Sequence, residues 1–224
     1  MKPLINCFSK AIQDYVYLLE RSYPPKTILN LVGTRYSLSA TERSMLYRGV
    51  SPSAEAKKRK EKKISPAEIE GAEKIHIDTL NVLMTLHAYL AGQPVYISTD
   101  GFVRDAAEAH GNPDLPHLAR SVEMLTVFLE RKGIKECTFY LDRKADNTTL
   151  ALKILDKELK KTSFDHEIIV SNETDKRIEK ARDGFAATSD STIIDRTPLL
   201  VADLPEGILA ENFTPDLISL QDIL

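Results

Sequence analysis

The chain is poor in the features that would place it outside the ordinary soluble class. Its 224 residues contain two cysteines, Cys7 and Cys137, too few for a disulfide framework, and no tryptophan. A reducing compartment is the simple expectation. No apolar run approaches the ~20 residues needed to cross a bilayer, and the first fourteen residues hold two lysines, Lys2 and Lys10, and no signal-peptide core, so the sequence predicts a cytoplasmic protein with no membrane partner. Nine glycines and eleven prolines exclude low-complexity and collagen-like chains. The remaining 42% apolar and 28% charged residues suffice for a real core.

The net charge of −3 conceals an asymmetry. Residues 1–70 carry 13 Lys and Arg against 7 Asp and Glu, a balance of +6, whereas residues 71–224 carry 17 against 26, a balance of −9. A basic segment of this kind hints at an anionic partner, although unequal halves also occur in proteins that bind none.

Periodicity divides the chain in the same way. Ile5, Phe8, Ile12, Tyr15, Val16 and Leu19 fall at helical steps before Pro24-Pro25. A second helix opens at that pair and stops at Gly33, and a third starts at Ser39, with Glu42 completing a capping-box pattern. Six basic residues then fall within Lys57–Lys63, which reads as a solvated charged linker or as a nonspecific phosphate grip. The predicted organisation is a basic helical domain over 1–50, a charged linker over 51–72 and an α/β domain over 73–224. In the last of these, β-rich runs at 75–77, 95–98, 137–141, 167–170, 185–188 and 199–201 alternate with helical stretches such as Leu115, Leu118, Val122, Leu125 and Leu129. That alternation predicts a mostly parallel sheet, because parallel neighbours need crossovers and helices supply them.

Ligands of such sheets collect beyond the carboxyl ends of the strands. Four of the predicted strands stop at an aspartate: Asp78, Asp100, Asp142 and Asp190. Helix capping or a turn explains any one of them. Gathered on one rim, they would repel one another unless a divalent cation offset the charge, and hard oxygen donors suit Mg2+ or Mn2+. His76, His87, His110, His117 and His166 show no zinc-site spacing, and His87 reads as a packing histidine. The segment from Asp100 through Arg104 and Asp105 to His110 is either an exposed salt-bridged helix or an active-site loop in which Asp105 or His110 assists a metal or a phosphate.

The segments IHIDTLNVL (75–83) and ATSDSTIID (187–195) resemble the PIN-like nuclease superfamily, particularly its NYN branch. The segments 31–50, 97–111 and 139–151 look more closely like a prokaryotic family of unknown function with a basic helical N-terminal domain, which implies no activity. The PIN-like resemblance implies a three-layer α/β/α fold and Mg2+- or Mn2+-dependent hydrolysis of phosphodiester bonds, usually in RNA. It assigns metal binding and catalysis to Asp78, Asp142 and Asp190, and places Asn81 beside them. Many relatives carry a second acidic residue two positions after the late aspartate. Here that position is Thr192, and Asp195 stands as its substitute. Asp100, Arg104, Asp105, His110 and Ser189 would assist the metal, the aspartates or the phosphate, and Arg35, Arg43 and Arg48 would hold the polyanion. A noncatalytic RNA- or protein-binding module on a degenerate PIN-like fold is the rival reading, and a metal-dependent phosphatase the third. A homo-oligomer stays open.

Overall fold

A computed structural model describes residues 2–106 and 113–224, with side chains from Cys7 onward. Four helices come first: α1 (Lys2–Leu19), α2 (Pro25–Arg35), α3 (Ala40–Gly49) and α4 (Ser53–Lys62). There follow β1 (Lys63–Ile64), β2 (Lys74–Asp78), α5 (Thr79–Leu90), β3 (Val95–Ile97), β4 (Val103–Asp105), α6 (Leu115–Arg131), β5 (Glu136–Asp142), α7 (Thr148–Leu159) and β6 (Asp165–Ser171). The chain ends with α8 (Thr174–Lys180), β7 (Phe185–Ala187), α9 (Ser191–Arg196), β8 (Val201–Ala202), α10 (Leu204–Asn212) and β9 (Ile218–Ser219). These elements form two compact units. One comprises residues 1–61, 93–110 and 216–224, and the other residues 62–92 and 111–215.

The first unit is built on the predicted helices. Phe8, Ala11, Ile12 and Tyr15 of α1 pack with Ile28, Val32, Met45 and Leu46 of α2 and α3 around one apolar core. The capping box of α3 is present: the Glu42 amide donates to Ser39 Oγ at 3.2 Å and the Ser39 amide donates to Glu42 Oε2 at 2.8 Å. Helix α2 runs through Gly33 instead of stopping there. A side chain at Gly33 would collide with the Arg43 guanidinium, which donates to the carbonyls of Leu38 (3.1 Å) and Leu29 (3.3 Å). The glycine therefore makes room inside a helix.

The stretch read as a linker is instead ordered into α4, β1 and a series of turns. Its basic run is mixed in use: Lys57, Lys58 and Lys60 are exposed, whereas Arg59 is buried and pairs with Asp100 at 3.5 Å. Lys63 pairs with Asp203 (3.1 Å) and Glu206 (3.0 Å) in the second unit.

A second departure concerns β3. It lies in a three-stranded sheet of the first unit, antiparallel to β4 and parallel to β9, and not among the strands of the α/β sheet. Local apolar character marks a strand but not the neighbour it pairs with, which is set by long-range contacts.

The second unit has the predicted α/β architecture. Its six strands are all parallel, in the order β1-β8-β7-β2-β5-β6, and helices flank them. Of the predicted stripe, Leu118, Val122, Leu125 and Leu129 are on the buried face of α6, whereas Leu115, the first residue of the helix, is exposed. Chain order runs from β2 outward through β5 to β6, then returns to β7 on the other side of β2 and continues to β8. The strand order therefore reverses between β2 and β7. In doubly wound sheets that reversal opens a crevice at the carboxyl ends of the two strands, where ligands bind.

Candidate functional site

The reversal point is where the sequence places Asp78 and Thr188-Ser189-Asp190. Ile77 pairs with Ala187, so Asp78 and Thr188 leave the sheet side by side. The Thr188 hydroxyl donates to Asp78 Oδ2 at 2.8 Å and accepts from the Asp190 amide at 3.0 Å. Asn81, in the first turn of α5, receives the Ser189 amide (2.8 Å) and the Ser189 hydroxyl (2.9 Å) on Oδ1. The two strand ends are thus laced together by one threonine and one asparagine, and Ser189 acts by fixing Asn81.

Two more carboxylates belong to this rim. Asp142 is the exposed last residue of β5, and its Oδ1 accepts the Lys144 amide at 2.9 Å. Asp175, in the first turn of α8, has no counterpart among the residues singled out from the sequence. It lies four residues beyond the end of β6, so no apolar strand run stops at it. Its charge is visible in the electrostatics. Burial, followed by the negative fields of Asp190, Asp142 and Glu179, raises the Asp175 carboxyl above its ordinary range. Asp78 is pushed up to about 7, chiefly by burial and then by Asp190 and Asp175, against the lowering effect of the Thr188 hydrogen bond. Asp78, Asp142, Asp175 and Asp190 therefore form one repelling set.

Among the described residues, the group of three metal-ligating side chains with all donor atoms within 4.8 Å of one another is elsewhere, at His87, Asp114 and His117. The rim carboxylates are more widely spaced.

The other predicted site residues divide sharply. Asp190 also caps α9, accepting the Thr192 amide at 2.7 Å, so capping and rim membership coexist in one residue. Asp195 lies in the last turn of α9, about 7.5 Å along the helix axis from Asp190 at ~1.5 Å per residue.

Asp100, Arg104 and Asp105 are not carboxylates and cations of the parallel sheet. They belong to the three-stranded sheet of the first unit, where Arg104 grips both oxygens of the fully buried Asp100 at 2.8 Å each. Although burial opposes it, the Arg104 charge and the hydrogen bonds from Arg104, Ser98 and the Phe102 amide hold the Asp100 carboxyl below its usual range. Asp105 pairs with Arg48 at 3.3 Å. His110 lies outside the described residues. Arg43 is engaged with backbone carbonyls, as described above, and Arg35 lies 3.7 Å from Asp14 on the surface. His76 is a buried hydrogen-bonding residue of β2, with Tyr140 at 3.0 Å and Asp183 at 3.3 Å.

No solved structure matches the chain. An uncharacterized protein of Methanocaldococcus jannaschii is 29% identical over 188 residues, which span 83% of this chain and 88% of the relative. Residues 7–62 match a family described as "Protein of unknown function (DUF434)". Residues 66–206, which include five of the six strands of the parallel sheet and its acidic rim, match another family model, and the chain belongs to that family, described as "Domain of unknown function (DUF5616)".

Proposed function

We propose that this protein is a divalent-metal-dependent hydrolase of phosphodiester bonds, acting on RNA or single-stranded nucleic acid at the rim formed by Asp78, Asp142, Asp175 and Asp190. The observation that carries the reading is the gathering of these four carboxylates at the β2–β7 reversal, with Asp78 raised to about 7. A site that holds mutually repelling carboxylates at its ligand-binding edge is built for a cation. The order of these residues along the chain agrees with the PIN-like resemblance, and Asp175 supplies the carboxylate that Thr192 does not.

Mg2+ or Mn2+ bound here would activate a water and neutralise charge on the phosphate. The chain's own residues orient that chemistry. Thr188 fixes one Asp78 oxygen toward β7, Asn81 and Ser189 hold the two strand ends in register, and the exposed Asp142 and Asp190 face solvent where a substrate can approach. No side-chain nucleophile is needed. The two cysteines are free, in keeping with action in the cytoplasm, and no helix among the described residues is long and apolar enough to cross a membrane.

The test is cleavage of an end-labelled single-stranded RNA by the purified protein in MnCl2. Cleavage that stops in EDTA and in Asp78→Asn supports the reading. Binding of intact RNA with no cleavage would replace it with a noncatalytic module, and phosphate release from small monoesters alone would replace it with a phosphatase.

A further inference from the structure

A second group of donors lies in the parallel-sheet unit, away from the rim. His87 is in the last turn of α5, Asp114 is the N-cap of α6 and His117 is in the first turn of that helix. Because α5 begins next to Asp78, its rise of ~1.5 Å per residue puts His87 about 12 Å along the helix from the rim. The two imidazoles meet at a single carboxylate oxygen: Asp114 Oδ2 lies 3.0 Å from His87 Nε2 and 2.9 Å from His117 Nδ1. All three donor atoms lie within 4.8 Å of one another.

We propose that His87, Asp114 and His117 form a binding site for a divalent transition-metal ion of the zinc class. Two imidazole nitrogens and one carboxylate oxygen are the donors of three-ligand zinc sites, which leave the fourth position to water or substrate. A tetrahedral ion with bonds of about 2.0–2.1 Å separates its ligands by roughly 3.3 Å. The observed 2.9 and 3.0 Å to Asp114 therefore need a few tenths of an ångström of opening to admit the ion, with the two imidazole nitrogens within 4.8 Å of each other. Asp114 can turn Oδ2 to the metal without uncapping α6, because its other oxygen, Oδ1, accepts the His117 amide at 3.0 Å. Access is one-sided: the His87 side chain is 11% exposed, whereas those of His117 and Asp114 are 42% and 48% exposed. The buried imidazole anchors the site, and the fourth coordination position faces water. The nitrogen donors distinguish this site from the oxygen-only rim, since imidazole favours zinc, cobalt or nickel over magnesium.

The experiment uses the full chain freed of metal by a chelator and then titrated with CoCl2 and ZnCl2. One equivalent of Co2+ should develop the visible absorption of a four-coordinate nitrogen–oxygen site, and Zn2+ should displace it while a large excess of MgCl2 does not. Asp114→Asn keeps a good capping residue, and His117→Gln changes a half-exposed side chain, so both variants should fold. Each should bind Zn2+ at least tenfold more weakly, and together they should abolish the equivalent, while Asp78→Asn retains it. Absence of stoichiometric Co2+ binding, or an undiminished equivalent in the folded double variant, would overturn the proposal. Loss of the equivalent in Asp78→Asn instead would assign the metal to the rim and overturn it equally.

Discussion

The Thr188 hydroxyl reaches across the reversal of strand order to donate to Asp78 at 2.8 Å, while the same oxygen accepts the Asp190 amide at 3.0 Å. One side chain thereby ties together two of the four rim carboxylates. Replacing it with the near-isosteric valine removes the donor to Asp78 and leaves the Asp190 amide unsatisfied. Thr188→Val should cost about 1–3 kcal/mol in urea unfolding and raise the Asp78 pKa further. A titration of Asp78 by carboxyl NMR that gives the same midpoint in both proteins would show that the hydroxyl has no hold on it.

Asp78 should make the metal-free protein pH-sensitive. Its folded-state pKa of about 7 lies above the ordinary ~3.9, so it contributes stability that is complete below about pH 4 and is lost as the pH rises through 7. In EDTA the urea midpoint of the wild type should fall between pH 5 and 8, and Asp78→Asn should flatten this fall by on the order of 1–3 kcal/mol. MnCl2 should restore the wild type and leave the variant unchanged.

Asp175→Asn tests the rim residue that only the structure brings forward. Removing its charge should lower the Asp78 pKa, because Asp175 is among the negative neighbours that raise it. If the rim hydrolyses RNA, the substitution should slow Mn2+-dependent cleavage at least tenfold with little change in melting temperature. Unchanged cleavage would remove Asp175 from the site.

Asp100 behaves in the opposite sense. Its carboxyl is held below the ordinary range, so the stability it contributes is present above about pH 4 and is lost as the pH falls through its folded-state value. Asp100→Asn leaves Arg104 and Arg59 buried without that countercharge and should cost about 3–5 kcal/mol in a denaturant titration at pH 7.

Gly33→Ala should be tolerated by an isolated helix yet destabilise this protein, since the added methyl occupies the space of the Arg43 guanidinium. A loss of about 1–3 kcal/mol is expected from the displaced hydrogen bonds to Leu29 and Leu38. Combining it with Arg43→Ala should recover part of that loss.

What the sequence determined by itself is local. The Ser39–Glu42 capping box, the α6 stripe and five strands of the parallel sheet are written in spacings of two, three and four residues, and Asp78, Asp142 and Asp190 are visible because each stands where an apolar run stops. Pairing between distant segments decided the rest. Val95–Ile97 reads as a strand of the parallel sheet, yet it pairs with Val103–Asp105 and Ile218–Ser219, which removes Asp100 from the rim and seals it against Arg104. Asp175 joins the rim only because α8 packs beside β2 and β5. His87 and Asp114 are 27 residues apart, a separation no metal-ligand spacing rule would flag, and they meet because the end of α5 lies against the start of α6. Local periodicity selects which elements form and which faces are apolar. Burying those faces against partners remote in sequence selects which polar groups converge, and the chemistry resides in that convergence.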